Sequence, residues 1–178
     1  MNMKQNVKEN IQLRSIMYTD AQFLMELNND DVIAKYVVGT PRKVTLEEQL
    51  KWMDNIRNEK NTIRFIVTNE GNPVGTVIVS NIDYYNLTAN INIKLHQLSR
   101  GKGLGKKCIE LTVAYCFEEL HMKCLTAHVL SYNIASLTLF EHSGFKKEGV
   151  LRSRVVKNGK RENLVIFSIL EEEYKKIK

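Results

Sequence analysis

Cysteine is scarce in this sequence, and the little that is present excludes two kinds of protein. The 178 residues include three cysteines, Cys108, Cys116 and Cys124. Their odd number and their spacing suit neither a disulfide framework nor a metal site. We therefore expect buried free thiols and no bound metal.

Long apolar runs, linkers and repeats are also missing. No uninterrupted apolar stretch approaches the roughly 20 residues that a membrane span requires, and residues 1–6 lack the apolar segment of a signal peptide. The sequence has no internal repeat and no low-complexity tract. These absences predict a single domain over residues 1–178, located in the cytoplasm and not at a membrane.

A concentrated block of positive charge is absent too, although the net charge is +6. The lysines and arginines are spread along the chain and are not interleaved with aromatic residues, so we expect no nucleic-acid partner. An acidic small ligand explains the same excess of positive charge.

Two helices are predicted in the first third of the chain. Thr19 with Gln22, and Thr45 with Glu48, have the spacing of capping boxes ahead of apolar residues that recur at helical intervals. The segment Gly39-Thr40-Pro41 breaks the chain between them. We expect these two helices to form a flap joined by a loop.

The rest of the chain alternates between strand and helix patterns and predicts an α+β fold. Asn158-Gly159 is a strong hairpin-turn signal. The predicted strands are 11–16, 63–67, 74–79, 89–95, 125–130, 145–156 and 164–170, and the later helices are 104–121 and 133–142. This order favours a mixed, mostly antiparallel twisted sheet of six to seven strands flanked by about four helices. The parallel crossover is expected between the strands at 89–95 and 125–130.

The loop Arg100-Gly101-Lys102-Gly103-Leu104-Gly105 joins a strand pattern to the start of a helix. Glycine permits tight turns and close approach of the backbone to a ligand. A helix that starts here directs free N–H groups and the positive end of its dipole outward. The loop is therefore predicted to bind an anion, with phosphate or pyrophosphate favoured; the alternative is a plain strand-to-helix turn.

This loop resembles the acyl-CoA signature of the GNAT superfamily of N-acetyltransferases. In that signature Gln or Arg is followed, after two residues, by Gly, and after one more by Gly or Ala; Arg100, Gly103 and Gly105 match it. Residues 133–145 are similar to the family's Asn-containing helix that ends in Gly-Phe, and residues 146–152 look like the ribosomal-protein N-terminal, spermidine and amino-sugar acetyltransferase branches. The element order agrees from about residue 11 to 170. The resemblance implies a GNAT-like fold with acetyl-CoA as the cofactor.

The resemblance also implies where coenzyme A would bind. Backbone N–H groups of residues 101–105 would hold the pyrophosphate, with Lys102 and Lys106 adding charge. The strand before the loop would pair with the pantetheine arm at Ile93 and Leu95, and an N–H near Leu95 would polarise the thioester carbonyl. The complete expected set is Ile93, Leu95, Arg100, Gly101, Lys102, Gly103, Leu104, Gly105, Lys106, Asn133, Ser136 and Phe140. Asn133 also suits the N-cap of its helix.

Two positions depart from the family pattern for proton transfer. His128 stands where the ribosomal-protein branch has a glutamate base, and an imidazole could take a proton from an ammonium directly or through water; the alternative is a strand residue with no catalytic part. Phe140 stands where the family has a tyrosine that protonates the thiolate. Phenylalanine cannot donate a proton, which leaves Tyr132, Ser136, Tyr84, Tyr85 or solvent.

The resemblance implies an enzyme that moves an acetyl group from acetyl-CoA to a primary amine by direct attack through a tetrahedral intermediate. The amine would belong to a small molecule, an amino sugar or a protein N-terminus. Candidate residues for binding it are Glu26, Asp83, Tyr84 and Tyr85, with Asp30 and Asp31 as further acidic candidates. The alternative is a non-catalytic acyl-CoA-binding module. A homodimer is common in the family, so the resemblance offers it as one option, but the oligomeric state does not follow from this sequence.

Overall fold

The computed structural model describes residues 10–39 and 42–178. These residues fold into a seven-stranded mixed sheet in the order β1-β2-β3-β4-β5-β7-β6. The strands are β1 Ile11–Ser15, β2 Ile63–Asn69, β3 Asn72–Asp83, β4 Thr88–Leu95, β5 Cys124–Leu130, β6 Lys146–Lys157 and β7 Lys160–Leu170. The helices are α1 Ala21–Asn29, α2 Asp31–Tyr36, α3 Leu46–Ile56, α4 Leu104–Ala114, α5 Ile134–His142 and α6 Glu171–Ile177.

The predicted α+β fold with a mixed, mostly antiparallel sheet is confirmed. The β6–β7 hairpin turns at Asn158 and Gly159, whose φ angles of 49° and 76° lie in the left-handed region that such turns require. None of the helices in the described residues is long and apolar enough to span a membrane. Residues 1–6, and Thr40 and Pro41 of the predicted break, lie outside the described residues.

Among the described strands, one pair is parallel, β4 with β5, which is where the sequence predicts the crossover, and this pair is short. It covers three positions and ends at Asn90 opposite Thr126, where the two side chains hydrogen bond to each other. β4 nevertheless continues to Leu95 and stays paired with β3 on its other edge, from Ile91 to Leu95. The β5-facing edge of residues 91–95 is therefore left without a strand partner within the described chain.

Apolar residues pack on both faces of the sheet. On one face α1 and α3 cover Ile66 of β2. On the other, Leu104 of α4 packs beside Val67 and Val77. The larger core on that second face gathers Ile91, Ile109, Leu125, Phe140, Phe145, Phe167 and Ile169. Helices α4 and α5 thus fix the sheet on one face around the point where β4 and β5 separate, while α1 and α3 cover β2 on the other face.

The first helix does not begin in the predicted way. A short 3-10 turn, Tyr18–Asp20, precedes α1, and no capping box forms between Thr19 and Gln22. Asp20 instead accepts hydrogen bonds from the Met17 N–H at 2.8 Å and from both terminal nitrogens of Arg14 at 2.7 Å. Burial acts to raise the pKa of Asp20, but these hydrogen bonds lower it below its ordinary value.

Two short helices, α2 and α6, were not predicted. Asp30 starts α2 by accepting the N–H groups of Val32 and Ile33, and three glutamates open α6. The free-thiol prediction is confirmed for all three cysteines, but Cys124 is half-buried rather than buried. Burial raises the pKa of Cys108 and of Cys116 to about 12, which keeps both thiols protonated.

Candidate active site

A cleft of about 980 Å³ opens where β4 and β5 separate. Its walls come from β4, from β5 with the start of α5, from the glycine loop, and from helix α2 with its flanking residues Asn28, Val37, Val38, Gly39 and Arg42. Eleven residues predicted from the sequence line it: Ile93, Leu95, Arg100, Gly101, Gly103, Gly105, Lys106, His128, Asn133, Ser136 and Phe140. Lys102 and Leu104 do not line it. Lys102 is exposed, and Leu104 is buried against Cys108.

The glycine loop has the backbone that an anion site needs. Gly101 and Gly103 have φ angles of 71° and 79°, which other residues rarely adopt, and Gly103 is the N-cap of α4. The first N–H groups of a helix have no acceptor within it. Those of α4 follow directly from Gly103, and Lys106 one turn later also lines the cleft. The loop therefore offers N–H donors, the helix dipole and a cation to an anionic ligand.

Gly105 has a packing role in addition. A Cβ at this position would lie 3.3 Å from the Leu139 side chain, closer than an ordinary contact, so α4 and α5 are held tightly together here. This contact fixes the glycine loop relative to Asn133 and Ser136 of the second family-like segment.

Arg100 joins the glycine loop to two other parts of the wall. Its Nε donates to the Leu95 carbonyl at 2.9 Å, at the end of β4. Its guanidinium forms an ion pair with Asp30 at 2.6 Å, and Asp30 is the N-cap of α2. Burial acts to raise the pKa of Asp30, but hydrogen bonds from the Ile33 N–H and from Arg100 lower it. We call this arrangement the Arg100–Asp30 clamp.

The second family-like segment supplies the opposite wall. Asn133 caps α5 through its Oδ1, which accepts the Ser136 N–H at 3.2 Å. Phe140 is buried and packs edge-to-face on Phe145, with ring centroids 5.1 Å apart, and over Phe167 at 6.2 Å. Phe140 is therefore both a core residue and part of the cleft wall. Ser136, one helical turn earlier, is half-buried and lines the same cleft.

His128 lies on β5 just beyond the last pair with β4. It follows Thr126 by two residues, so both side chains lie on the same face of the sheet. The imidazole is exposed to the cleft, although the backbone of His128 pairs with Ile166 in the interior of the sheet. A base at this position can meet an amine that enters from the face opposite α4.

Two of the four candidate proton donors lie at the cleft, Tyr132 and Ser136. The Tyr132 hydroxyl donates to the Lys35 carbonyl at 2.8 Å, and its ring lies 5.9 Å from that of Tyr36. Burial, with the nearby Glu162 charge, raises the pKa of Tyr132. Its proton is therefore held in a contact between α2 and the β5–α5 loop, which leaves the Ser136 hydroxyl as the freer of the two.

The structure does not bring the predicted acceptor-binding residues to this cleft. Asp83 accepts the Tyr85 and Asn86 N–H groups at 2.9 Å in the β3–β4 turn, where Tyr84 and Tyr85 are exposed to solvent. Glu26 accepts a hydrogen bond from the Gln22 amide on α1. The further acidic candidates are also engaged, Asp30 in the clamp and Asp31 in an ion pair with Lys43. None of these side chains lines the cleft wall.

Other residues line the part of the cleft next to α1 and α2, and the sequence did not identify them. They are Asn28, Tyr36, Arg42 and Lys94. Lys94 Nζ donates to Asn28 Oδ1 at 3.1 Å. The strict alternation of β4 was the available signal, because it sets Lys94 on the same face as Asn90 and Asn92. Its partner, 66 positions earlier in the chain, was not visible from the sequence.

The arrangement fits a long, extended, anionic cofactor. The glycine loop suits its phosphates, and the unpaired edge of β4 offers backbone N–H and C=O groups to an extended arm, as a neighbouring strand would do. Together the fold and the cleft define an acyl-CoA-dependent transferase. The chain belongs to the acetyltransferase (GNAT) domain family, which matches residues 10–146.

Individual relatives agree over nearly the whole chain. The uncharacterised N-acetyltransferase p20 of Bacillus licheniformis is 28% identical over 93% of this chain and 96% of its own. The spermidine N(1)-acetyltransferase of Vibrio cholerae is 27% identical over 91% of this chain and 94% of its own. A crystal structure of the V. cholerae spermidine N-acetyltransferase with CoA and spermine superposes with a TM-score of 0.88, at 26% identity, over 93% of this chain and 98% of the other.

These matches confirm the family resemblance, including the spermidine branch, and the cofactor. The protein is an acetyl-CoA-dependent N-acetyltransferase that acts on an amine. Nothing in the relatives favours the alternative of a non-catalytic binding module.

Proposed function

We propose that the cleft between β4 and β5 transfers the acetyl group to a primary amine, with the two reactants entering from opposite faces of the sheet. The observation that carries this proposal is the early end of the β4–β5 pairing beside the glycine loop. Acetyl-CoA supplies the acetyl group as an activated thioester. Backbone N–H groups at Gly101 and Gly103 and the Lys106 ammonium would hold its pyrophosphate.

The free edge of β4 would position the thioester. Ile93 and Leu95 line the cleft and have no β5 partner within the described chain. Their backbone groups can pair with the extended pantetheine arm, and the N–H near Leu95 would stabilise the charge that develops on the carbonyl oxygen. A donor of this kind is worth about two to three orders of magnitude in rate.

His128 would act as the general base. Its exposed imidazole lies on the acceptor face of β5, where it can remove a proton from the ammonium directly or through one water. Ser136 or solvent would return a proton to the sulfur, since Phe140 has no proton to give and the Tyr132 hydroxyl is bonded to Lys35.

The amine enters next to α1 and α2, where Asn28, Tyr36 and Lys94 form the wall. A small amine, an amino sugar or a protein N-terminus each carries the required amine. A cytoplasmic location and the lack of a nucleic-acid partner stay predictions, and a homodimer stays one option.

An acceptor panel tests this function. The full chain is incubated with acetyl-CoA and, separately, with amino sugars, amino acids, polyamines and N-terminal peptides, and both thiol release and the mass of the acceptor are measured. We expect at least one acceptor to gain one acetyl group in step with thiol release. Thiol release without an acetylated product in every arm would contradict amine acetylation.

A further inference from the structure

The cleft wall carries positive charge and no carboxylate. None of the described residues that line it is an aspartate or a glutamate. The lining includes four side chains with basic groups on long stems, Arg42, Lys94, Arg100 and Lys106. An acetyltransferase that binds a polycationic amine needs carboxylates in this wall, because a buried or half-buried cation is stable only when it is paired.

These four cations differ in what already neutralises them. Arg42 pairs with Glu48 at 2.7 Å, and Arg100 pairs with Asp30. Lys106 lies on the first turn of α4, beside the loop assigned to the pyrophosphate. Neither lysine forms a salt bridge within the described residues, but Lys94 lies away from the glycine loop, and its one hydrogen bond goes to the neutral Asn28 amide.

Lys94 also lies in the right part of the cleft for the acceptor. It is the neighbour of Leu95 on β4, but its side chain lies on the opposite face, together with Asn92 and away from α4. Its Nζ is within 3.1 Å of Asn28 on α1. A group bound at Nζ would therefore be one side-chain length from the strand edge where the acyl group is expected.

A second ammonium adds to the positive potential on this side. Lys157 is buried and donates to the carbonyls of Ala34 at 3.2 Å and Gly39 at 2.8 Å, and both of these residues line the cleft. Its partners are neutral. Burial lowers the pKa of Lys94 and of Lys157, as expected for ammonium groups without a counter-ion.

We propose that the acceptor amine carries an anionic group, a carboxylate or a phosphate, that pairs with Lys94. This inference rests on the function proposed above and narrows its substrate class. Such a group supplies the missing counter-ion and forms a charge-assisted hydrogen bond with Nζ. Polyamines are excluded by the same reasoning, because they bring more positive charge to an uncompensated cation. The chain would then differ in specificity from the V. cholerae relative whose structure holds spermine.

Matched pairs of acceptors test the proposal in the full chain. Leucine is compared with leucinamide, glucosamine 6-phosphate with glucosamine, and spermidine completes the set. The amide is the more easily deprotonated amine, so a preference for leucine would come from its carboxylate and not from intrinsic reactivity. We expect the anionic member of at least one pair to have a kcat/KM about tenfold or more above its neutral partner, with spermidine the poorest acceptor. The two pairs separate a carboxylate source from a phosphate source.

A variant then assigns the effect to Lys94. Lys94→Met should remove the preference by raising KM for the anionic acceptor about tenfold or more, with little change for the neutral partner or for acetyl-CoA. Lys60→Met, at an exposed position outside the cleft, should keep the preference. Spermidine as the preferred acceptor, or an anionic preference that survives in Lys94→Met, would overturn the proposal.

Failure of the proposed function gives a different result, namely no acetylated product with any amine. In that case calorimetric titration of leucine and glucosamine 6-phosphate into the CoA-bound protein decides the Lys94 site. Binding that is lost in Lys94→Met supports the site, and no binding, or binding that is unchanged in the variant, overturns it.

Discussion

Gly103 has two properties that the proposed anion site needs, a positive φ angle and open space in front of the helix N-terminus. Its φ angle of 79° disfavours any side chain, yet no heavy atom of the described residues beyond its immediate chain neighbours lies within 4 Å of where a Cβ would stand. A larger residue would therefore strain the backbone by about 1–2 kcal/mol and would also fill the space in front of the α4 N-terminus.

Gly103→Val should weaken acetyl-CoA binding by about tenfold or more, because it blocks the N–H donors that we propose for the pyrophosphate. Isothermal calorimetry measures this affinity. Gly71→Val is the matched control, since Gly71 has a φ of 83° and equally open surroundings but lies in the β2–β3 turn. Gly71→Val should lower the free energy of unfolding by a similar amount and leave the affinity for acetyl-CoA unchanged. Equal affinity in the two variants would contradict the assignment of the loop.

His128 is exposed, so its replacement should change the chemistry of the site more than the packing of the fold. His128→Ala should lower kcat by about a hundredfold or more, in the range of a lost general base, while acetyl-CoA affinity stays unchanged. His142→Ala, an exposed histidine at the end of α5, should behave like the unaltered chain. An unchanged kcat in His128→Ala would remove His128 as the base.

At the scale of elements, the Arg100–Asp30 clamp links the cofactor loop to α2 on the acceptor side. Asp30→Asn tests it cleanly, because asparagine caps a helix as well as aspartate does but cannot pair with the guanidinium as an ion. We expect the free energy of unfolding, measured in urea, to fall by about 1 kcal/mol. Acetyl-CoA binding should also weaken, although Asp30 does not line the cleft.

Asp31→Asn is the control for the clamp. Asp31 is the next residue, and its ion pair with Lys43 is exposed, with 87% of the Asp31 side chain accessible, so its loss should change little. Combining Asp30→Asn with Arg100→Met should cost less than the sum of the two single changes, since both remove the same contact. Similar effects for Asp30→Asn and Asp31→Asn would show that the clamp does not position the loop.

The elements that could be predicted from the sequence are those with strong local signals. The Asn158-Gly159 turn, the alternation of β4 and the glycine loop each depend on residues within a few positions. Helix α2 was missed because its six residues are too few for a helical period. Asp30 and Asp31 were considered as substrate ligands because nothing local shows that Arg100 and Lys43 already engage them. Asp83 differs, because its partners, the Tyr85 and Asn86 N–H groups, lie in its own turn.

At the scale of the whole molecule, function follows from one interruption in an otherwise continuous sheet. β4 keeps its pairing with β3 to Leu95 but leaves β5 after Asn90. Helices α4 and α5 pack against the separated strands from one face of the sheet. The strand edge proposed for the cofactor and the face proposed for the acceptor thus meet at one cleft without any change in the rest of the fold.

Amide hydrogen exchange, measured with and without acetyl-CoA, tests this central claim most directly. Backbone groups that pair with an extended cofactor become protected from exchange. We predict new protection concentrated in residues 91–95 of β4 and residues 101–106 of the glycine loop and α4. The distant β1–β2 pair should not change. Protection elsewhere on the molecule, with these two segments unaffected, would contradict the placement of the active site between β4 and β5.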